Sequence, residues 1–502
     1  MQPKCTCPHC GTKHESKDLY FDFTGFVMAQ LKEILFKDSQ NKEAFLECET
    51  LFNKHRFYYT EEDLWILPEA KEEASASSLN KKVIYSLPWG EINKKAVEEK
   101  MNDFVVELQK NKEKVSEKKY TLWLLKGGSN DIEDKVRVCE VRNVDTGKTI
   151  ADVRLCPECH KPMSYWAGRY EEICLTVLGG PRVSKSTTLT ACMSAFRKAE
   201  GNVYWEGAEE DEAWQFFKRN YLEPYENGQK VMPTETQEAK IPKVSFRVTV
   251  NGKKIILTFV DLSGEFNGQN GLDDKIYKDR TPFYDNVDFV WYCTDPAEVM
   301  QLEGTAQDNK ELEKLGYGAD LEIIPTDKLV YNMRHLSGLF ARANRKVPVI
   351  YILGKSDTDI ITTADKEKYE LYSSIEPDLY EPLEVEPFFE QAGKVREYMK
   401  KYNPKLVKAF EEYFPDRCYT AISAYGYTPG GEEEKESKPY HCKLPFYWML
   451  ALKNYIDVKI TVTTYHFGRK KREDMVDQLE NLPEDVREKA EHNLCMHGSY
   501  RL

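Results

Sequence analysis

The stretch Cys174-Leu-Thr-Val-Leu-Gly-Gly-Pro-Arg-Val-Ser-Lys-Ser-Thr187 joins an apolar strand pattern directly to a glycine turn and a Lys-Ser-Thr triplet. Its spacing follows the phosphate-binding loop G-x-x-x-x-G-K-[ST], in which backbone N–H groups and the next helix N-terminus surround phosphate oxygens while the lysine reaches the terminal phosphates. Gly179, Lys185 and Ser186 fit this pattern, and Ser184 stands in place of its second glycine. Because near-matches arise by chance in long chains, the interpretation depends on the residues that follow.

The size and charge of the chain limit the classes of protein to which it can belong. A chain of 502 residues exceeds one hydrophobic core, which favours about two to four structural units. The 84 acidic and 71 basic residues give a net charge of −13, which argues against general adhesion to nucleic acid or to an anionic membrane. No apolar leader or membrane-length apolar run occurs, and the 13 cysteines are too scattered for a disulfide framework. We therefore expect a cytoplasmic protein with no membrane partner.

Two short cysteine motifs predict a metal site. Cys7-Pro-His-Cys10 and Cys156-Pro-Glu-Cys159 have the same Cys-Pro-x-Cys form, and each can supply two corners of a tetrahedral Zn²⁺ site. We predict one four-cysteine zinc ribbon, split between residues 1–15 and 150–168. The alternative is two unrelated reduced pairs or one redox dithiol. Three further residues could serve as other ligands: Cys5, His9 and His160.

Residues 16–149 are predicted to form an α+β module inserted into this ribbon. Apolar residues recur at helical spacing over Phe26–Phe36 and within Lys94–Lys118. Strand patterns cover Tyr120–Leu125 and Val136–Val141, and Asp145-Thr-Gly147 predicts a hairpin turn before a third strand. No catalytic constellation is evident in this module, and its role is left open.

From Glu171 onward, apolar strands alternate with helices, which is typical of a largely parallel sheet. We expect a strand over Ile173–Leu178, a helix over Thr187–Lys198, and a hairpin turned by Asn251-Gly252. The second hairpin strand ends in Val260-Asp-Leu-Ser-Gly264. A strand-end aspartate can hold Mg²⁺ through water, and a glycine three residues later can place its N–H on a γ-phosphate.

A second strand end predicts recognition of the base. The apolar run Val347–Leu353 leads into Gly354-Lys-Ser-Asp357, where one carboxylate can accept both the N1–H and N2–H₂ donors of guanine. Adenine lacks that pair of donors. Lys355 would lie along the base, and the amides of Ser423 and Ala424, at a later strand end, could meet the guanine oxygen.

Taken in order, the GGPRVSKST loop, a threonine near Pro233, DLSG, GKSD and the Ser-Ala pair resemble the motifs of the translation-factor-related (TRAFAC) class of P-loop GTPases, over about residues 171–456. The resemblance implies an α/β fold with helices on both faces of a mostly parallel sheet, and it implies GTP or GDP as ligand. The resemblance also implies which residues hold each part of the ligand. The phosphates would be bound by Lys185, which reaches the β- and γ-phosphates, by Gly264, which senses the γ-phosphate, and by the lining of the phosphate loop: Gly179, Gly180, Arg182, Ser184 and Thr187. Mg²⁺ would be held by Ser186, by Thr234 or Thr236, and through water by Asp261, and the base by Lys355, Asp357, Ser423 and Ala424.

The sequence departs from this pattern at three positions. Ser184 places a Cβ where the backbone should approach phosphate closely. Glu265 stands where many such GTPases have a glutamine that orients the attacking water, so we expect slow hydrolysis that depends on a partner. Gly354 replaces an asparagine or threonine and removes a side-chain tie to the phosphate loop. Arg182 could supply a positive charge in cis, although a loop arginine is more often solvated.

These observations predict a GTPase domain over residues 169–458 and a charged helical tail over 459–502. The function that they favour is a GTP-hydrolysing switch that reads a protein partner or a GTPase activator, with nucleic acid not favoured. The split ribbon and long insertions are similar to bacterial double-GTPase and conflict-system GTPases, which implies a role in bacterial defence. The competing hypothesis is a pseudo-GTPase or zinc-ribbon scaffold that binds protein or nucleic acid without turnover.

Overall fold

The chain divides into two compact units, Met1–Glu172 (unit 1) and Ile173–Leu502 (unit 2). The computed structural model describes residues 4–25, 28–29, 56–60, 63, 89–91, 99–100, 103, 125–128, 140–143, 149–151, 153–180, 183, 185–197, 203–208, 211–229, 231, 243–261, 284–302, 323–343, 345–358, 360–371, 383–426, 439–456, 458–466 and 469–476. The two ribbon segments and the predicted insert thus belong to one unit.

The described part of unit 1 contains small antiparallel sheets. Its strands are β1 (Lys4–Thr6), β2 (Lys13–Glu15), β3 (Tyr20–Asp22), β4 (Tyr58–Tyr59), β5 (Trp89–Glu91), β6 (Leu125–Gly128), β7 (Glu140–Asn143), β8 (Thr149–Ala151) and β9 (Arg154–Leu155). They form a β1-β2 hairpin, a β4-β3-β9 sheet and a β5-β6-β7-β8 sheet. The pairing of β3 with β9 joins the start of the predicted insert to the second ribbon segment.

The predicted hairpin in this unit is confirmed by the antiparallel pairing of β7 with β8, while its turn at residues 144–148 lies outside the described residues. The strand predicted over Tyr120–Leu125 lies outside the described residues except for Leu125, which belongs to β6. Most residues of the two helices predicted over Phe26–Phe36 and Lys94–Lys118 lie outside the described residues.

Unit 2 is built on a seven-stranded sheet with the order β11-β12-β13-β10-β14-β15-β17. Its strands, with those of a smaller sheet, are β10 (Glu171–Gly179), β11 (Val203–Glu206), β12 (Lys243–Val250), β13 (Lys253–Asp261), β14 (Phe289–Thr294), β15 (Val349–Leu353), β16 (Leu383–Glu384), β17 (Arg417–Ala421), β18 (Val458–His466) and β19 (Arg469–Val476). Strands β10, β14, β15 and β17 run parallel to one another, whereas β11, β12 and β13 pair antiparallel.

The described helices of unit 2 are α1 (Lys185–Arg197), α2 (Glu212–Phe217), α3 (Glu223–Glu226), α4 (Pro296–Met300), α5 (Thr326–Arg342), α6 (Thr363–Lys368), α7 (Val385–Tyr402), α8 (Pro404–Tyr413) and α9 (Leu444–Leu452). A π-helical turn, Lys218–Leu222, joins α2 to α3. The predicted helix after the phosphate loop is confirmed and begins at Lys185.

Helices cover both faces of the central sheet, as predicted. Successive side chains on a strand point to opposite faces. On β14, Trp291 packs edge-on against Phe446 of α9, with ring centroids 5.1 Å apart. The next residue, Tyr292, lies on the other face beside Tyr351 of β15, whose ring contacts Phe410 of α8 at 4.8 Å. Strands buried on both faces need the continuous apolar runs that β14 and β15 show.

The β12-β13 hairpin follows the sequence prediction closely. Val250 pairs with Lys253 across a two-residue loop. Asn251 and Gly252 have φ values of 49° and 81°, and positive φ at both positions is the requirement of a type I′ turn. The pair Asn-Gly therefore fixes the register of two long strands.

The C-terminal tail corrects the sequence prediction. Residues 459–502 were expected to be helical, but β18 and β19 form an antiparallel hairpin, and β16 pairs with β18. The reason is the alternation of β-branched residues in Val458-Lys-Ile-Thr-Val-Thr-Thr-Tyr-His466, which has the period of a strand rather than a helix. Residues 477–502 lie outside the described residues.

Candidate functional sites

The predicted phosphate and base motifs meet at one edge of the central sheet. Gly179 of β10 is paired with Cys293 of β14, and Leu353 of β15 is paired with both Thr294 and Ala421. Four parallel strands therefore end at the same level, and the loops that follow them lie side by side. The strand order reverses at β10, which lies between β13 and β14, and α/β proteins bind ligands at such switch points.

Two glycines at the end of β10 allow close packing of the phosphate loop. Gly179 has φ 148°, and a Cβ on it would lie 2.2 Å from the backbone oxygen of Cys293. A Cβ on Gly180 would lie 2.2 Å from Oε1 of Glu298. Neither position has space for a side chain, which explains the Gly-Gly pair physically.

Lys185 begins α1 and is held against the loop that precedes it. Its Nζ donates to the carbonyl oxygens of Gly179 and Gly180, at 3.3 and 2.6 Å, and the residue is 8% exposed. Ser186 and Thr187 are half-buried on the first turn of the same helix. A buried ammonium at a helix N-terminus is an arrangement that can bind an anion.

The loop after β15 places the predicted base-reading residues beside this cradle. The N–H of Gly354 donates to Thr294 O at 2.8 Å, and a Cβ on Gly354 would lie 3.4 Å from Val183 O in the phosphate loop. Lys355 has φ 51°, and its Nζ lies 3.2 Å from Asp295 Oδ2. Asp357 is half-buried, and its carbonyl oxygen accepts from Lys366 Nζ at 2.7 Å.

The Ser-Ala pair after β17 is more constrained than its sequence indicates. Ser423 is fully buried and forms an isolated bridge with Tyr440, to which its N–H donates at 3.4 Å. The Ser423 hydroxyl oxygen accepts from the N–H of Gly426 at 2.8 Å. Of the two amides expected to meet guanine, that of Ser423 therefore already has a partner, and the expectation falls mainly on Ala424.

The predicted Mg²⁺ and hydrolytic residues are described only in part. Asp261 ends β13, and the hydroxyl of Thr176 on neighbouring β10 donates to Val260 O at 3.0 Å, which places that strand end beside β10. Several predicted residues lie outside the described residues: Arg182, Ser184, Thr234, Thr236, Gly264 and Glu265.

Sequence reasoning missed two acidic residues at this edge. Asp295 caps α4 and Glu298 lies in its first turn, and both are buried. The Thr294 hydroxyl donates to Glu298 Oε2 at 2.8 Å, and burial with the Asp295 charge raises the pKa of Glu298 to about 8. The signal was present in Asp295-Pro-Ala-Glu298, which has the spacing of a helix capping box.

The four predicted zinc ligands come together in unit 1. The Sγ atoms of Cys7, Cys10, Cys156 and Cys159 all lie within 4.8 Å of one another. The Cys7–Cys159 and Cys10–Cys156 Sγ pairs are both 3.6 Å apart. Tetrahedral Zn–S bonds of about 2.3 Å require S–S separations of about 3.8 Å. The geometry fits Zn²⁺, and two unrelated cysteine pairs would not be expected to adopt it.

The two cysteine turns have matching backbones. The N–H of Gly11 donates to Cys7 O at 3.0 Å, and the N–H of His160 donates to Cys156 O at 2.9 Å. Gly11 and His160 have φ values of 76° and 55°, so each turn ends in a left-handed residue. The His160 ring stacks on Tyr58 with centroids 5.3 Å apart. Among the described residues, the metal-binding group consists of the four cysteines, without the other predicted candidates Cys5, His9 and His160.

The thiols of this cluster differ in acidity. Burial raises the pKa of Cys156 to about 11 and also raises that of Cys7. Burial opposes ionisation at Cys10 too, but its hydrogen bonds with Thr12, Cys7 and Cys156 outweigh burial and lower the pKa of Cys10 to about 7. His14 Nε2, which sequence reasoning missed, lies 3.2 Å from Cys156 Sγ. Bound metal would hold all four sulfurs as thiolates.

The known proteins that resemble this chain are solved structures. No protein-family model matches the chain, and no curated protein matches its sequence. Among solved structures, the chain is similar to the G domain of the FeoB iron transporter of T. maritima, with 12% identity, a TM-score of 0.19, and coverage of 51% of this chain and 89% of that one. A second similar structure is that of apo translation elongation factor SelB of Methanococcus maripaludis, with 12% identity, a TM-score of 0.18, and coverage of 51% of this chain and 30% of that one.

Every helix in the described part of the chain is too short or too polar to span a membrane.

Proposed function

We propose that unit 2 is a guanine-nucleotide switch that binds GTP and hydrolyses it with Mg²⁺. The observation that carries the proposal is the meeting of two loops at one sheet edge. The cradle of Gly179 and Lys185 lies beside Gly354-Lys-Ser-Asp357, and Gly354 is within van der Waals reach of the phosphate loop. The same molecule can then be held by its phosphates at Lys185 and by its base at Asp357.

Each chemical role in this proposal follows from side-chain type and position. Lys185 neutralises the β- and γ-phosphates, and the hydroxyl of Ser186 with the carboxylate of Asp261 would hold Mg²⁺, together with Thr234 or Thr236. The metal would offset the charge that develops on the transferred phosphoryl group. Asp357 selects guanine, with Lys355 and the Ala424 amide beside the base.

The hydrolytic rate is proposed to be slow. Glu265 would place a carboxylate near the γ-phosphate, which it would repel unless it is protonated. The N–H of Gly264 would contact the γ-phosphate and so make the loop around it sensitive to the bound nucleotide. A protein partner or GTPase activator would then supply the missing charge. The setting is proposed to be cytoplasmic, and the narrower resemblance suggests a bacterial conflict system.

The four-cysteine cluster is proposed to be a structural zinc centre. Four thiolates complete a tetrahedron and leave no open position for a substrate, which is the arrangement of structural rather than catalytic zinc. The site closes a ribbon whose halves, near Cys7 and Cys156, are far apart in the sequence. Zinc binding would therefore stabilise unit 1 and any partner-binding surface that it presents.

The competing proposal is a scaffold that binds nucleotide or partners without turnover. The observation that favours it is Gly354, which has no side chain with which to hold the phosphate loop. Ser184 and Glu265 point in the same direction.

The deciding experiment is phosphate release from GTP by the wild type and by Lys185→Ala. Lys405→Ala is the matched control, because Lys405 is an exposed lysine on α8 that pairs with Asp327. We expect the wild type and Lys405→Ala to release phosphate from GTP, and Lys185→Ala to release none. Nucleotide that is bound by the wild type but not hydrolysed, even with cell extract added, would favour the scaffold.

A further inference from the structure

Two buried carboxyl groups stand at the proposed nucleotide site with no role in the chemistry described above. Asp295 is 0% exposed and Glu298 is 2% exposed, and both belong to the turn that follows β14. Carboxyl groups are rarely buried so completely unless they are paired or protonated. Asp295 has its partner in Lys355, whereas Glu298 requires another explanation.

Glu298 packs directly on the phosphate loop. Its Oε1 occupies the space into which a Cβ on Gly180 would project, and its Oε2 accepts from the Thr294 hydroxyl. Gly180 in turn accepts the shorter of the two hydrogen bonds made by Lys185 Nζ. The carboxyl group therefore lies on the same loop residue that positions the phosphate-binding lysine.

The charges around Glu298 come from several elements. Asp295 lies in its own turn, Lys185 belongs to α1, and Lys355 belongs to the loop after β15. The phenol groups of Tyr292 and Tyr351 face it from the sheet. Burial and Asp295 favour the protonated carboxyl, while the hydrogen bond from Thr294 and the two lysines favour the ionised form.

A bound phosphate would change this balance in one direction. The phosphate adds negative charge near the loop and shares the positive charge of Lys185, so both effects disfavour an ionised Glu298. Linkage requires the converse as well: ionisation of Glu298 must weaken phosphate binding by the same free energy.

Resting on the proposed guanine-nucleotide site, we propose that Glu298 is a positioning residue for Lys185 and that its carboxyl group takes up a proton when a nucleoside diphosphate or triphosphate binds. In the free protein above about pH 8, an ionised Glu298 offsets the charge of Lys185. In the complex, the protonated carboxyl retains its contacts with Thr294 and Gly180 and leaves the lysine to the phosphate.

The sign of the pH dependence follows from these two states. The pKa of Glu298 in the free protein is raised to about 8, and bound phosphate raises it further. Nucleotide affinity is then independent of this group below about pH 8 and falls above it by up to tenfold per pH unit. The fall ends where the pKa of the complex is reached.

The test is titration of the full chain with a fluorescent GDP in Mg²⁺ between about pH 7 and pH 9, where the phosphates of GDP are already ionised and the guanine N1–H is still largely protonated. Glu298→Gln keeps the shape of the side chain but cannot titrate. Glu390→Gln, at an exposed carboxylate on α7, is the matched control. We expect affinity to fall with pH in wild type and control, and to stay constant in Glu298→Gln.

Each outcome separates this inference from the function on which it rests. A wild type that binds no GDP at any pH overturns the proposed function and the inference with it. GDP binding with the same pH profile in wild type and Glu298→Gln overturns the inference alone.

If Glu298→Gln does not fold, calorimetry of GDP binding to the wild type near pH 8 in two buffers of different ionisation enthalpy decides. Uptake of up to one proton per GDP supports the inference, and no uptake overturns it.

Discussion

Alanine at Gly179 and at Gly354 is the same chemical change at two glycines of the proposed site, but the structure predicts a large loss of stability at Gly179 and almost none at Gly354. Gly179 has φ 148°, and its added Cβ would lie 2.2 Å from the backbone oxygen of Cys293. Gly354 has its nearest contacts at 3.4 Å, from Thr294 O and Val183 O, which is ordinary van der Waals distance.

The magnitude for Gly179→Ala combines two costs. An alanine held at a positive φ costs about 1–3 kcal/mol. The clash adds roughly 1–3 kcal/mol, because Cys293 is paired with Gly179 in the sheet and cannot move away without separating β10 from β14. We expect a loss of about 2–6 kcal/mol in the free energy of unfolding. Gly354→Ala is expected to lie within about 1 kcal/mol of the wild type, since it restricts only the unfolded chain.

The assays are urea unfolding and equilibrium titration with fluorescent GDP. We expect Gly179→Ala to lower the urea midpoint and to weaken GDP binding by at least about tenfold, which corresponds to about 1.4 kcal/mol. Gly354→Ala should leave both values nearly unchanged. Equal destabilisation by the two variants, or a wild-type urea midpoint for Gly179→Ala, would refute the packing described for the phosphate loop.

Three further predictions concern other parts of the chain. Reduced wild-type protein should contain one zinc per chain by elemental analysis. The double variant Cys7→Ser with Cys156→Ser should contain none, and its unit 1 should lose its protease resistance. Normal folding of that double variant would exclude the zinc centre. Asp357→Asn should lose affinity for GTP and gain it for xanthosine triphosphate, because the amide offers a donor to the second carbonyl of xanthine; an unchanged base preference would mean that Asp357 does not read the base. In urea unfolding, Gly252→Ala should lower the free energy of unfolding by about 1 kcal/mol through strain at its φ of 81°, whereas Gly393→Ala, inside α7 with no atom within 4 Å, should raise it by about 0.5–1 kcal/mol. The reverse order would contradict the turn geometry.

Local features of the fold were predictable because each is fixed by a few adjacent residues. Asn251-Gly252 specified its turn, and the Gly179–Lys185 spacing specified a strand, a loop and a helix. The convergence of distant strand ends followed from the rule that parallel strands share a carboxyl edge. The four cysteines could be assigned to one cluster because their two motifs have the same form.

The features that sequence reasoning missed depend on contacts between distant segments. Glu298 reaches Gly180 only because β14 lies beside β10, and His14 reaches Cys156 only because the ribbon closes. The capping-box spacing of Asp295 and Glu298 indicates a helix start but carries no information about the phosphate loop that packs against it. The β18-β19 hairpin was missed for a different reason, because the charged composition of residues 459–502 favoured a helix over the alternation of β-branched residues at the start of this segment.

The central claim is that one edge of the sheet in unit 2 binds a guanine nucleotide. Equilibrium competition of GTP, GDP and ATP against fluorescent GDP, with Mg²⁺ present, tests it most directly. The structure predicts displacement by GTP and GDP at concentrations at least about a hundredfold below that of ATP, because a buried site built for the guanine donors leaves polar groups unpaired with adenine. Equal displacement by ATP, or no nucleotide bound at high concentration, would contradict the claim.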